Sequence, residues 1–259
     1  DLVIRGGQVL DGNGGPAAAA DVGVRGGKIA KIGDLGAAPA RRRIDAAGLV
    51  VAPGFIDMHN HSDHTILTEP RAESMIRQGV TTMILGESGS AGPVKPGTEE
   101  WTTLGGYFQH VERKGVATNL ASYVGEAQVW SYVKGYGHSA ATPQELDQMK
   151  RLIAQAMEEG AMGLSTSLLM PPSSLATTAN LIELAKVAKQ YGGIYSTHIR
   201  DEGEGVFRSV QEAIDIARGA QIPVDVIHLK IAHKKLWGRM NEVVAMIEKA
   251  RGEGLNVQA

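Results

Sequence analysis

The sequence predicts an α/β protein: a TIM-like (β/α)8 barrel, incomplete in this chain, preceded by a small N-terminal β-sandwich subdomain. Three observations carry that reading. From residue 51 onward, strand-like runs alternate with amphipathic segments in units of about thirty residues, the pattern of parallel strands joined by crossover helices. Residues 1–50 instead alternate short strands with glycine turns. Imidazoles and a carboxylate fall where the parallel strands end, the rim at which such barrels do chemistry. A doubly wound open sheet has the same alternation, so periodicity leaves closed and open arrangements both standing.

In residues 1–50, Val22 and Val24 face Ile29 and Ile32 across Gly26-Gly27, a hairpin signature. The segment is too small to bury much alone and reads as a subdomain of a larger body. The larger part (51–259) then supplies strand-like runs, with Leu49-Val50-Val51-Ala52 leading into Pro53-Gly54-Phe55-Ile56-Asp57, followed by 81–85, 116–124, 161–165, 193–197 and 223–227, and an unfinished seventh at the end. The helices between them carry punctuation. Thr142-Pro143-Gln144-Glu145 is a capping box with proline at the first helical position. Leu146, Met149, Ile153 and Ala156 follow at helical spacing, and Gly160 stops the helix. Similar stripes run through Leu181, Leu184, Ala185 and Ala188, through Val206, Val210, Ala213, Ile214 and Ala217, and through Val243, Val244, Ile247 and Ala250.

Composition narrows the function. The 259 residues are 43% hydrophobic and 21% charged, enough apolar surface for a large core. A formal net charge of −2 gives no basic face for nucleic acid or an anionic membrane surface. No apolar run approaches the roughly eighteen residues of a spanning helix. Cysteine is absent, which removes disulfides, thiolate nucleophiles and Cys-ligated zinc together. Any metal must be held by histidines and carboxylates. The chain opens on Asp1 and stops within a strand-like run, so we expect a C-terminal remainder of the same protein to complete the barrel.

The polar residues at the strand ends are specific. The first strand runs into Asp57-Met58-His59-Asn60-His61, and in an extended strand His59 and His61 point the same way. Glu87 follows the second strand, His198 ends the fifth and His228 the sixth. Four of the eight histidines and one glutamate at one rim would be a strange product of core packing, since buried imidazoles and carboxylates are costly unless paired or metal-bound. Nitrogen and oxygen donors suit a catalytic zinc. His110 reads as a surface residue of a helix over 104–114, His138 as a loop residue, and His64 and His233 as neighbours of the site. Asp63 either orients a ligand or caps the next helix. Arg200 offers a planar fork for a substrate carboxylate, or else pairs with Asp201, Glu202 or Glu204.

Several longer runs resemble a known family. Asp1-Leu2-Val3-Ile4 with Gly6-Gly7, then Gly27-Lys28-Ile29-Ala30-Lys31-Ile32-Gly33, then Ala52-Pro53-Gly54-Phe55-Ile56-Asp57 with His59-x-His61, look like the opening of the amidohydrolase superfamily. Gly163-Leu164-Ser165-Thr166-Ser167, Ser196-Thr197-His198-Ile199-Arg200 and Ile227-His228-Leu229-Lys230 resemble its N-acyl-D-amino-acid deacylase (D-aminoacylase) branch. The resemblance implies one or two zinc ions, with His59 and His61 on the more buried one and His198 and His228 on the second. It places Lys230 and Arg200 near the substrate. Glu87 stands where the branch commonly has a bridging cysteine, a role that two carboxylate oxygens can also fill. The general base is implied to be an aspartate at the end of strand eight, beyond Ala259.

The implied reaction is zinc-dependent hydrolysis of the linear amide of a small-molecule N-acyl-amino acid to a carboxylate and a free amino acid, the branch resemblance pointing to the D configuration. Cyclic-amide hydrolases resemble this superfamily too, but usually carry a carboxylated lysine on strand four, where this chain has Gly163-Leu164-Ser165-Thr166-Ser167. An isoaspartyl-dipeptidase-like activity stands closer because of Glu87. A metal-binding scaffold without catalysis is the alternative outside the enzyme class.

Overall fold

The computed structural model describes residues 1–135 and 139–259. His138 lies outside the described residues. Packing divides the chain into Asp1–Phe55 and Ile56–Ala259.

The first unit is a single mixed sheet, so the described residues supply one sheet where a sandwich has two. Strands β1 (Leu2–Val9), β2 (Ala18–Arg25), β3 (Lys28–Gly33), β4 (Arg42–Asp45) and β5 (Val50–Val51) assemble in the order β3-β2-β1-β4, with β5 also on β1. β2 and β3 form the expected antiparallel hairpin, with Arg25 opposite Lys28. Its turn residues Gly26 and Gly27 have φ of 58° and 74°. A two-residue turn needs positive φ at both positions to match strand twist, which is why two glycines stand there.

In the second unit, β6 (Phe55–Asp57) leads to two single-turn helices, α1 (Thr65–Thr68) and α2 (Glu73–Ile76). Then come β7 (Val80–Leu85), α3 (Leu104–Lys114), β8 (Asn119–Ser122) and β9 (Val124–Gly125). The β8 and β9 segments are one strand interrupted at Tyr123. Two helices follow, α4 (Glu126–Lys134) and α5 (Pro143–Glu158), then β10 (Gly163–Ser167), α6 (Thr178–Gln190) and β11 (Ile194–His198). The chain closes with α7 (Val206–Ala220), β12 (Val224–Val226), α8 (Met240–Gly252) and β13 (Val257–Gln258). No helix among the described residues is long and apolar enough to cross a membrane.

Strand order decides between the two arrangements that periodicity left standing. The sheets run β6-β7-β8 and β9-β10-β11-β12-β13, each strand beside its sequence neighbour. A doubly wound sheet reverses direction at a switch point; this one never does. It is a singly wound (β/α) barrel with seven strands present. The helices bury the stripes their periodicity marks: Met149, Ile153 and Ala156 on α5, Leu181 and Leu184 on α6, Val210 and Ile214 on α7. The capping box forms as expected, Thr142 accepting from the Glu145 amide and Glu145 reaching back to the Thr142 amide. Val244 departs from its stripe: Val243 turns inward, and Val244, one residue around the helix, is 42% exposed.

The parallel register sets Ser165 beside Ser196 and Ser167 beside His198. Period-two alternation therefore places Ser165, Ser167, Ser196 and His198 on one face of adjacent strands. Gly163 lies opposite Ile194, and a Cβ there would sit 1.9 Å from the Ile194 carbonyl oxygen. Gly163→Ala is therefore expected to lower unfolding free energy in urea by about 3 kcal/mol, the overpacking range. A loss under about 1 kcal/mol would mean that β10 and β11 are not pressed together as described.

Candidate metal centre

Strand ends build the site. His59 and His61 follow β6, Glu87 follows β7, His198 closes β11 and His228 stands just past β12. All five line one cavity of about 390 Å³, with Ser88, Thr166, Ser167 and Met170 among its other walls. The imidazoles form a continuous chain. Ring centroids are 4.7 Å apart for His61 and His59, 5.2 Å for His59 and His228, and 4.4 Å for His228 and His198. His59 Nδ1 lies 3.8 Å from Glu87 Oε1.

The first pair reaches this place differently from the extended strand expected. β6 ends at Asp57, whose carboxylate accepts from the His59 amide at 3.3 Å and from Asn60 Nδ2 at 2.6 Å. Asn60 in turn accepts from the Ser62 amide at 2.8 Å. Such local side-chain bonds compete with a sheet ladder and turn the chain out of it. The rings nonetheless stay adjacent.

Glu87 is held from two strands. Ser196 donates to Oε1 at 3.0 Å, and the flanking Ser88 amide donates to Ser165 Oγ at 2.9 Å. Burial is the main reason its carboxyl is pushed up to about 7; the nearby Asp225 and Asp63 add to this and the Ser196 hydroxyl opposes it. Burial also lowers His59, helped by the positive potential of His61 and His228. His198 is lowered mainly by burial, against the pull of Glu202. Neutral imidazoles keep a lone pair for a cation or a proton.

Three buried donor atoms from three strand ends have no hydrogen-bond partner: His59 Nδ1, Glu87 Oε2 and His198 Nε2. Each orphaned polar atom costs about 1–3 kcal/mol. What they lack is a positive charge, so this donor set fits a zinc-type ion. Backbone strain gathers at the same place. His228 has φ of 39° and Ser88 of 66°, conformations that cost non-glycine residues about 1–3 kcal/mol and concentrate at functional sites.

Other expectations need correction. Arg200 is absent from the cavity lining. Its guanidinium forks onto Glu212 at 2.9 Å through both Nε and Nη2. It also donates to the Ser174 and Ala176 carbonyls at 2.9 and 3.0 Å. Its ion-pair partner is therefore Glu212 and not Asp201, Glu202 or Glu204. Lys230 does stand beside the site, on Glu202 and 3.1 Å from His228 Nδ1. His110 is not a free surface residue: its ring tilts against Trp101 at 5.1 Å and its Nδ1 lies 3.3 Å from Glu100. Asp63 does not cap α1, whose N-cap is His64 without a side-chain bond; it is buried with its carboxyl raised by that burial. Sequence reasoning misses Glu202 as a site residue. Its Oε1 lies 3.2 Å from both His198 Nε2 and His228 Nδ1. The four-residue spacing from His198 is the one signal that could have marked it.

A sequential parallel β/α ring with imidazoles and carboxylates at its C-terminal rim defines the class of β/α barrels with a candidate metal site at the rim where such barrels carry their active sites. Within that class, the chain belongs to the amidohydrolase family, whose pattern matches residues 42–254. It is 38% identical to a D-aminoacylase of Alcaligenes xylosoxydans xylosoxydans over 96% of this chain and 54% of that one. It is 39% identical to an N-acyl-D-glutamate deacylase of the same organism, over 99% and 55%. The crystal structure of N-acyl-D-glutamate deacylase from Bordetella bronchiseptica, complexed with zinc and a phosphonate mimic of the tetrahedral intermediate, superposes with a TM-score of 0.94. It shares 37% identity and is matched over 99% of this chain and 57% of its own. The chain thus spans about half the length of these relatives.

Arg200→Ala is expected to cost about 2 kcal/mol of stability, since it strands Glu212 and two carbonyls, the figure allowing for the partial exposure of the guanidinium. KM for the substrate of the whole protein should stay within about twofold. A KM rise of about tenfold at unchanged stability would restore the substrate-clamp role.

Proposed function

We propose that this chain forms the larger part of the active site of a zinc-dependent deacylase that hydrolyses the linear amide of N-acyl-D-amino acids. The observation that carries the reading is the set of unpartnered donors on His59, His198 and Glu87 around one cavity. His59, His61, Glu87, His198 and His228 would hold one or two zinc ions. Bound there, zinc lowers the pKa of water and polarises a carbonyl, the two needs of amide hydrolysis.

The chain's own residues set the conditions for that chemistry. Burial lowers His59 and His198 and so favours their neutral forms, which carry a lone pair for an ion. Ser196 fixes one oxygen of Glu87 and leaves the other free. Lys230, two residues beyond His228, is the cation best placed to meet a substrate carboxylate. The general base is assigned to an aspartate of strand eight, supplied by the C-terminal remainder of the protein. β10 carries no lysine, which favours a linear amide over the cyclic-amide alternative. The D configuration is taken from the D-aminoacylase and N-acyl-D-glutamate deacylase relatives.

The test uses the whole protein. Chelation should abolish hydrolysis and added zinc restore it. N-acyl-D-amino acids should be cleaved with kcat/KM at least about tenfold above their L enantiomers, roughly 1.4 kcal/mol of discrimination. His198→Asn and His228→Asn should lower metal content and reduce kcat by about a hundredfold or more while the protein stays folded by circular dichroism. Full metal content in either variant would contradict the ligand assignment, and L preference would contradict the substrate.

A further inference from the structure

We infer that Glu202 is itself a metal ligand: with His198 and His228 it forms a three-donor site of its own, whose donors Lys230 occupies until an ion displaces it. This rests on the metal-dependent reading above and goes beyond it. An ion at this position does not need Glu87 as a bridge.

Spacing is the first support. His198 Nε2 and His228 Nδ1 each lie 3.2 Å from Glu202 Oε1, and the three donor atoms all fall within 4.8 Å of one another. Ligands at zinc's usual bond lengths sit about 3.4 Å apart around a tetrahedral ion. Direction is the second. His198 Nε2 has no hydrogen-bond partner although a carboxylate oxygen is 3.2 Å away. The two atoms therefore do not aim at each other, as a donor and its acceptor would.

Local structure presets Glu202. The preceding carboxylate, Asp201, accepts from the Gly203 and Gly205 amides at 2.6 and 2.9 Å. The Asp201 amide donates to Ser209 Oγ at 3.0 Å. The Glu202 carbonyl accepts from the Ala232 amide at 2.8 Å, tying the loop after β11 to the loop after β12. Ligands hold their geometry when their own supports are bonded in this way. Glu87, by contrast, is engaged on the other side, near His59 and with Ser196. The imidazoles that line the cavity thus serve two groups, His59 and His61 beside Glu87, and His198 and His228 beside Glu202, meeting where His59 and His228 face each other.

Lys230 supplies the third line of support. Its ammonium contacts Glu202 Oε1 and lies 3.1 Å from His228 Nδ1, so a positive charge already rests on two of the three donors. The lysine side chain is 49% exposed and free to swing out. An ammonium and a divalent ion cannot share those donors, because like charges at that separation repel strongly. Loading the ion would release Lys230 toward the substrate.

The competing role for Glu202 is merely to hold Lys230, and two substitutions separate the roles. Zinc per chain by elemental analysis, zinc Kd and the visible spectrum of the cobalt(II) form are compared for wild type, Glu202→Gln and Lys230→Met, with fold checked by circular dichroism. Glu202→Gln should lose one ion or weaken it at least about a hundredfold and change the cobalt spectrum. Lys230→Met should keep every ion, with Kd unchanged or lower. The inference is overturned if Glu202→Gln binds metal like wild type, or if Lys230→Met loses the same ion. Should Glu202→Gln fail to fold, Glu202→Asp is read by the same criteria. A wild type that binds no zinc would instead refute the proposed function itself.

Discussion

The site depends on one electrostatic constraint: buried nitrogen and oxygen donors converge without enough positive charge to satisfy them. Glu87 and Asp225 are both raised by burial, and Asp225 raises Glu87 further. Evolution tolerates such an arrangement when something else supplies the charge, because an uncompensated buried carboxylate either destabilises the fold or takes up a proton. A divalent cation would satisfy the orphaned atoms of His59, Glu87 and His198 together. It also explains why backbone strain at Ser88 and His228 is retained, since relaxing either would move a wall of the same cavity.

The barrel makes the convergence easy to arrange. Sequential parallel strands deliver their last residues to one rim, so four short segments far apart in the chain meet at one place. Serines on β10 and β11 brace the carboxylate from within. Ser165 accepts from the Ser88 amide and donates to the Gly86 carbonyl, gripping the turn that presents Glu87. Small hydroxyls suit this place because they satisfy buried groups while leaving space in the cavity.

Much of this is legible in the chain because local rules decide it. Capping boxes, helical stripes and glycine turns are short-range features, and α5 through α8 obey them. The ligand histidines are legible because strand ends are. What escapes the sequence is tertiary. Arg200 finds Glu212 only because α7 folds back over the strand, and no spacing near Arg200 discloses that partner. Glu202 reads in sequence as a neighbour of Arg200, whereas the loop after β12 brings it to His228 and Lys230. The bend after Asp57 is a local effect, but it comes from side-chain bonds that periodicity does not register. The helix α4 escapes notice although Gly125 and Gly135 bound it, because it starts at once after β9 and is only nine residues long.

X-ray anomalous scattering at the zinc edge from crystals of the zinc-loaded protein measures the central claim most directly. An anomalous peak about 2.0–2.2 Å from imidazole nitrogens of His198 and His228, inside the cavity that His59 and Glu87 also line, is the result this structure leads to. A zinc-loaded crystal whose only peaks lie outside that cavity, with these side chains still unpartnered, would contradict it.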